Sequence, residues 1–236
     1  MTLKDGVISL AHDVEKRSAT ISNDLVHAWS LTMLGSVLEH FGHQQEALHH
    51  LESAKLKAAL APMGSVYITY VCYDIATVHY FEDRLLEALD AVKEAWKHAE
   101  LIMSNSLMDQ ANISFLFSRI LFSMNRDMEA WKYIEISLMN SSHLGNQHGI
   151  ALALEYMGYR YLRRGDYLNA YDAYEAAVEK YLGTISEESA GTRCKDNMTK
   201  IKDKQRNPDL NVGFEKPSVD NDWQSLFYPA MQDISG

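Results

Sequence analysis

The stretch that decides the fold is Tyr156-Met-Gly-Tyr-Arg-Tyr-Leu-Arg-Arg-Gly-Asp-Tyr-Leu-Asn-Ala170, which continues through Tyr174 and Ala177. Gly158 lies in a segment with helical spacing, and Gly165 marks a turn after it. The residues Ala170, Tyr174 and Ala177 then follow at spacings of four and three, which place them on one face of a second helix. Small residues let two antiparallel helices approach closely, and the aromatic ring fills the gap beside them. The stretch therefore predicts a tight helical hairpin.

The same pattern recurs three times upstream. The copies are Leu34-Gly35, Leu38, Gly42, Ala47, Leu51 and Ala54; then Ile75-Ala76, His79, Asp83, Ala88, Val92 and Ala95; then, more weakly, Phe117-Ser118, Leu121, Asn125, Ala130, Ile134 and Ser137. The alanines at positions 47, 88, 130 and 170 give repeat steps of 41, 42 and 40 residues. A register this regular over four copies predicts a repeat protein. The positions expected to make its close helix contacts are Gly35, Ala47, Ala54, Ala76, Ala88, Ala95, Ala130, Gly158, Ala170 and Ala177.

The pattern resembles the tetratricopeptide repeat (TPR), although the standard repeat has about 34 residues. Longer repeats of this kind are similar to those of kinesin light chains, of bacterial peptide-sensing regulators and of the arms of NACHT- or NB-ARC-type signalling ATPases. The resemblance covers about residues 25 to 182. It implies an all-α fold, a right-handed α-solenoid of antiparallel helical hairpins, with a protein or peptide as partner.

We expect the helical array to occupy residues 1–205 and a loop-like tail to occupy residues 206–236. The array is divided into a lone helix at 3–18, repeats at about 25–62, 64–104, 105–144 and 146–182, and an end helix at 186–204. Opening in mid-repeat leaves two alternatives, a capping helix or a piece of a longer array. The tail begins at the helix-breaking Asn207-Pro208 and carries an apolar segment with Trp223, Leu226, Phe227 and Tyr228. That segment could cap the last helix, occupy the groove of its own chain or bind another protein.

Composition limits the class of partner. The net charge is −10, from 22 basic and 32 acidic residues, which argues against nucleic acid and against anionic membrane as partners. Cys72 and Cys194 have no metal or redox spacing, and the N-terminus has no apolar targeting core. These features favour a reducing compartment and predict a cytoplasmic protein.

In an array of this kind the first helix of each hairpin lines the concave surface. The side chains that we expect to bind a partner there are Trp29, Met33, Tyr70, Tyr73, Asp74, Tyr80, Asn112, Phe115, Arg119, Phe122, Tyr156 and Tyr159. Aromatic side chains are enriched at binding hot spots. The alternative, that these rings pack in the core, stays open at this point.

No catalytic signature is present: there is no phosphate-binding glycine loop and no Gly-x-Ser-x-Gly motif. The cluster of His40, His43, His49 and His50 lacks the spacing of a metal site, so no metal and no cofactor are expected. The sequence therefore predicts a non-catalytic scaffold that binds a peptide or protein segment in an aromatic groove. The alternatives are a structural array that self-associates through its end helices, a sensor arm of a larger signalling ATPase, and a small-molecule or peptide-pheromone sensor. The last of these ranks lowest, because the chain lacks the DNA-binding domain of such regulators.

Overall fold

A computed structural model of the chain describes residues 3–61, 64–101, 106–184 and 187–217. These ranges form ten α-helices and no β-strand. The helices are α1 (Leu3–Ser18), α2 (Asp24–His40), α3 (Gln44–Leu60), α4 (Gly64–Phe81), α5 (Leu85–Leu101), α6 (Leu107–Ser123), α7 (Asp127–Leu144), α8 (Gln147–Arg163), α9 (Tyr167–Tyr181) and α10 (Thr192–Arg206). A π-helical segment, Glu187–Gly191, leads directly into α10. In the described ranges, none of the helices combines the length and the apolar character needed to cross a membrane.

The helices pack in the order in which they occur along the chain. Residues Met1–Tyr133 and Ile134–Gly236 form two compact units, with the boundary inside α7. In the first unit, consecutive helices contact each other from α1 to α6, and the alternate helices α2, α4 and α6 also meet. In the second unit, α8 packs on α9, and α9 packs on α10. The predicted all-α fold, with adjacent helices packed in a row, is confirmed.

Small residues stand where paired helices approach each other most closely. A Cβ atom added to Gly35 on α2 would lie 2.6 Å from Cγ of Leu51 on α3. A Cβ atom on Gly158 would lie 3.1 Å from the ring of Tyr174 on the partner helix α9. The eight alanines named above as contact positions have no exposed surface. Larger residues at these places would force the helix pairs apart.

The turn inside each hairpin has the same backbone geometry. The residues at this turn are Gly42, Asp83, Asn125 and Gly165, with φ angles of 83°, 58°, 58° and 74°. In each case the next amide donates to the carbonyl oxygen five residues earlier; the bond from His43 N to Leu38 O, for example, is 2.8 Å. This arrangement closes a helix with a left-handed residue, a conformation that Gly, Asn and Asp adopt at the lowest cost.

The turn at Gly42 provides a test of this geometry. We expect Gly42→Ala to lower the free energy of unfolding by about 1–2 kcal/mol, because an L side chain is strained at positive φ. A Cβ atom there would meet nothing within 4 Å, so the effect is conformational and not steric. Gly213→Ala is the matched control, because that site is equally open and its φ is not positive. Chemical denaturation of the two variants measures the difference, and equal stability would contradict the explanation.

Candidate partner-binding surface

The predicted groove residues lie on the first helices of the hairpins, α2, α4, α6 and α8, and they differ in exposure. Trp29 is 51% exposed and Tyr70 is 36% exposed. Met33, Asp74 and Tyr159 are partly buried. The rest are buried, with 3–7% of their surface exposed: Tyr73, Tyr80, Asn112, Phe115, Arg119, Phe122 and Tyr156. Burial favours the core interpretation for the rings in this last group, while a role in partner binding stays a prediction for all twelve.

Arg119 on α6 lies among aromatic rings. Its guanidinium carbon is 4.8 Å from the centroid of the Tyr80 ring and 5.7 Å from that of the Phe115 ring. Such contacts stabilise a buried guanidinium through the negative face of each ring. The Tyr80 ring on α4 and the Phe115 ring on α6 therefore both pack against Arg119 in this structure.

Side-chain hydrogen bonds connect the first helices of the first unit. The Ser36 hydroxyl on α2 donates to Oδ2 of Asp74 on α4 at 2.7 Å. The Tyr70 hydroxyl on α4 donates to Oδ2 of Asp109 on α6 at 3.2 Å. On α2, Trp29 and Met33 continue the line of Ser36 at helical spacing. We call this set, formed by Trp29, Met33, Ser36, Tyr70, Asp74 and Asp109, the first-helix surface.

An acid pair, Glu39 and Asp74, lies at this surface. Burial, and secondarily the charge of Asp74, raises the pKa of the Glu39 carboxyl to about 7. Burial also raises the pKa of Asp74 to about 7, although the hydrogen bond from Ser36 opposes the shift. Within the described ranges, Oε2 of Glu39 has no hydrogen-bond partner. The acid pair is therefore poorly compensated when ionised, and a cation brought close to it would favour the charged form.

The acid pair makes stability depend on pH. Because both folded-state pKa values exceed the unfolded value of about 4, the folded chain holds more protons than the unfolded chain between about pH 4 and pH 7. Stability is then full below this window and falls as the pH rises through it. We expect Asp74→Asn to flatten this fall between pH 5 and pH 8, by an amount on the order of 1 kcal/mol, or about 2–4 °C in Tm. Thermal melts at the two pH values measure it, and Asp90→Asn, at an exposed site, should leave the wild-type slope unchanged.

The second unit contains a buried ion pair that connects three helices. Nε of Arg193 on α10 lies 2.6 Å from Oε1 of Glu155 on α8, and its Nη2 lies 3.1 Å from the other carboxylate oxygen. The Tyr181 hydroxyl on α9 donates to the same carboxylate at 2.7 Å. Burial and the nearby Glu155 charge raise the pKa of Tyr181, so its hydroxyl stays a donor. Glu155 is 1% exposed, and the bidentate geometry compensates its burial.

Comparison with known proteins supports the architecture. The crystal structure of BtubC (BKLC) from P. vanneervenii, a kinesin light chain-like TPR protein, is similar to this chain with a TM-score of 0.66. The likeness covers 94% of this chain and 99% of that chain, at 14% sequence identity. The chain has a TPR-like helical-repeat fold. No protein-family model matches the sequence, and none of the curated proteins compared with it matches either.

The resemblance to TPR proteins is thus confirmed for the fold, and the likeness in structure extends to nothing finer at this identity. Two polar features of this TPR-like chain were not predicted from the sequence. Glu39 was not among the expected site residues, because the helical spacing of α2 placed Trp29 and Met33, and not Glu39, on the groove face. Arg193 was not expected either, and the signal for it was a basic residue on the predicted end helix about one repeat step after Glu155.

The His50 side chain contacts two other histidines, and both cysteines are buried. The His50 ring lies 5.6 Å from His49 and 5.9 Å from His12, in edge-on contacts. In the part of the chain that the structure describes, no group of three or more His, Cys, Asp or Glu side chains could hold a metal ion. Cys72 and Cys194 are buried free thiols, and burial raises the pKa of Cys72 to about 12. A thiol with so high a pKa is a poor nucleophile.

Proposed function

We propose that the chain is a non-catalytic protein-interaction scaffold that binds a segment of another protein on the first-helix surface. The observation that supports this proposal is that two exposed aromatic side chains, Trp29 and Tyr70, lie on the same two helices, α2 and α4, as a poorly compensated acid pair. Exposed aromatic residues give a large contact area at a low cost in side-chain entropy. The TPR-like fold is consistent with such a role and names no partner.

The chemistry of the surface selects a class of partner. Trp29 and Met33 offer an apolar contact, whereas Asp74 and Asp109, both partly buried, offer two carboxyl groups. A segment with an apolar residue near a lysine or arginine would satisfy both parts. The net charge of −10 would also steer such a basic segment toward the chain. We therefore propose a basic, partly apolar peptide as the ligand.

A peptide-display selection on the full chain tests the proposal. We expect the selected peptides to be basic, and Trp29→Ala to weaken their binding about tenfold or more, the effect of removing a hot-spot aromatic residue. Leu86→Ala is the matched control, because Leu86 is 67% exposed on α5, a second helix. Fluorescence anisotropy with one labelled peptide measures both variants. Equal weakening by the two changes, or none by Trp29→Ala, would refute a site on the first-helix surface.

Self-association is a second candidate, and α1 provides the observation that favours it. Val7, Leu10 and Val14 are spaced three and four residues apart on α1 and are 37%, 64% and 40% exposed. An apolar stripe at this spacing is the usual contact face of a helix. Light scattering over a dilution series separates the candidates: a dimer that Leu10→Glu dissolves would support self-association, and a concentration-independent monomer would count against it.

A further inference from the structure

The segment after α10 returns along that helix. Lys204 Nζ donates to the Leu210 carbonyl oxygen at 2.9 Å, and Lys200 Nζ lies 2.9 Å from Oε1 of Glu215. The earlier lysine on α10, Lys200, contacts the later residue of the segment, Glu215. The segment therefore runs antiparallel to α10. Residues 210–217 contain no helix or strand; we call them the return segment. In the repeat register, this is where the second helix of another hairpin would follow its first helix.

Asn197 on α10 binds the main chain of the return segment. The Glu215 amide donates to Oδ1 of Asn197 at 2.8 Å, and Nδ2 of Asn197 donates to the Glu215 carbonyl oxygen at 2.9 Å. Nδ2 also lies 3.3 Å from the Tyr174 hydroxyl, and Asn197 has no exposed surface. A buried side-chain amide that both donates to and accepts from the backbone of one residue can bind any residue in an extended conformation, whatever its side chain.

Side-chain contacts add a preference for particular residue types on either side of Glu215, the residue that Asn197 binds. The Phe214 ring lies 6.3 Å from the Tyr167 ring at the start of α9, and Pro217 is buried. Helix α10 carries six basic and two acidic side chains, although the chain as a whole has a net charge of −10. An aromatic residue, then an acidic one, and a proline two positions later therefore suit this surface.

The return segment itself is only lightly buried. Leu210 is 37% exposed, Phe214 is partly buried, and Glu215 is exposed. Three of the contacts described above, those of the Leu210 carbonyl and of the Glu215 amide and carbonyl, involve only its main chain, which any extended peptide could supply. Segments with few buried apolar contacts open at a small free-energy cost. The segment is thus held in a way that permits exchange.

We propose that Asn197, Lys200, Lys204 and Tyr167 form a binding site for an extended acidic peptide of a partner protein, with the order aromatic–acidic–any–Pro. The return segment fills this site within the chain and competes with the partner. Its short connection to α10 gives it an effective concentration in the millimolar range, so a partner must bind more tightly than the free segment would. This site lies on α10 and is independent of the first-helix surface, so its failure would leave the proposed function in place.

The test uses a fluorescent peptide with the sequence of residues 209–217 and the full chain carrying Glu215→Pro. Proline removes the amide that donates to Asn197 and so weakens the internal competitor. We expect the probe to bind this variant about tenfold or more tightly than it binds the wild type, because the internal competitor is weakened. Equal affinity for the two chains, or no binding at millimolar concentration, would overturn the proposal.

Two further variants show whether the named residues make the site. Asn197→Ala in the Glu215→Pro chain should reduce probe binding about tenfold, the loss of two main-chain hydrogen bonds. Lys200→Glu in the Glu215→Pro chain should weaken the original probe and restore binding of a probe in which the glutamate is replaced by lysine, a result that general destabilisation cannot produce. Unchanged binding in both cases would refute the site. A wild-type dimer that Glu215→Pro abolishes would make a second copy the occupant instead of a partner.

Discussion

Replacing Arg193 by Met is expected to lower the free energy of unfolding by about 3–5 kcal/mol, the usual cost of leaving a buried charge without its partner. Arg193 provides both hydrogen bonds of a bidentate pair with Glu155, which is 1% exposed. Met fills much of the same volume but offers no donor. The carboxylate then keeps the hydroxyl of Tyr181 as a donor but has lost its charged partner. Urea denaturation of the wild type and the variant measures the loss.

Two comparisons show that the loss comes from the stranded charge. Adding Glu155→Gln to Arg193→Met should recover part of the stability, because a neutral amide costs less to bury than a carboxylate. Arg126 and Glu129 make a pair of similar bidentate geometry at an exposed site at the start of α7. Arg126→Met should therefore produce no measurable change, since exposed pairs contribute little. A loss at Arg126 as large as that at Arg193 would refute the argument from burial.

Tyr73→Ala is the second large effect, and we expect it to cost about 3–5 kcal/mol, the range for removing a buried aromatic ring. Tyr73 lies on α4 in the middle of the first unit and is 4% exposed. Burial also raises the pKa of its hydroxyl. The cavity left by alanine would remove contacts that hold α4 in place. Calorimetric or chemical melts measure the change.

Trp29→Ala is the natural comparison for Tyr73→Ala. Both residues were predicted as partner-binding positions on first helices, but Trp29 is 51% exposed. Its removal should change stability by no more than about 0.5 kcal/mol, as is usual for surface positions. If the two substitutions destabilised the chain equally, the division of the predicted groove into core and surface residues would be wrong.

The fold class could be predicted because its signal is periodic. Small residues such as Gly35 and Ala47 recur at a fixed offset, and each hairpin repeats the same spacing around its turn. One helix pair therefore supports the assignment of the next, and chance matches become rare. The positive φ angles at Asp83 and Asn125 follow the same register, although neither residue is the glycine that usually marks such a turn.

The candidate site was less accessible to sequence reasoning. Periodicity assigns Tyr73 and Trp29 to the same kind of helix face, but it does not tell how closely the neighbouring first helices approach. The depth of each ring depends on that distance. The apolar tail residues from Trp223 to Tyr228, on which three alternatives rested, lie outside the described residues. The hydrogen bonds from Asn197 to the main chain of Glu215 could not be predicted, because a single asparagine on a helix gives no periodic signal.

The order of helix contacts in the first unit has a consequence for how the chain folds. The main contacts among the described helices α1 to α6 join helices that are adjacent or next but one along the chain, so the contact order of this unit is low. Little loop-closure entropy must be lost before native contacts form, and folding on the microsecond-to-millisecond scale is the expected result. Amide exchange should also be fastest at α1, which packs mainly on α2, and slowest in α4, which packs on helices on both sides.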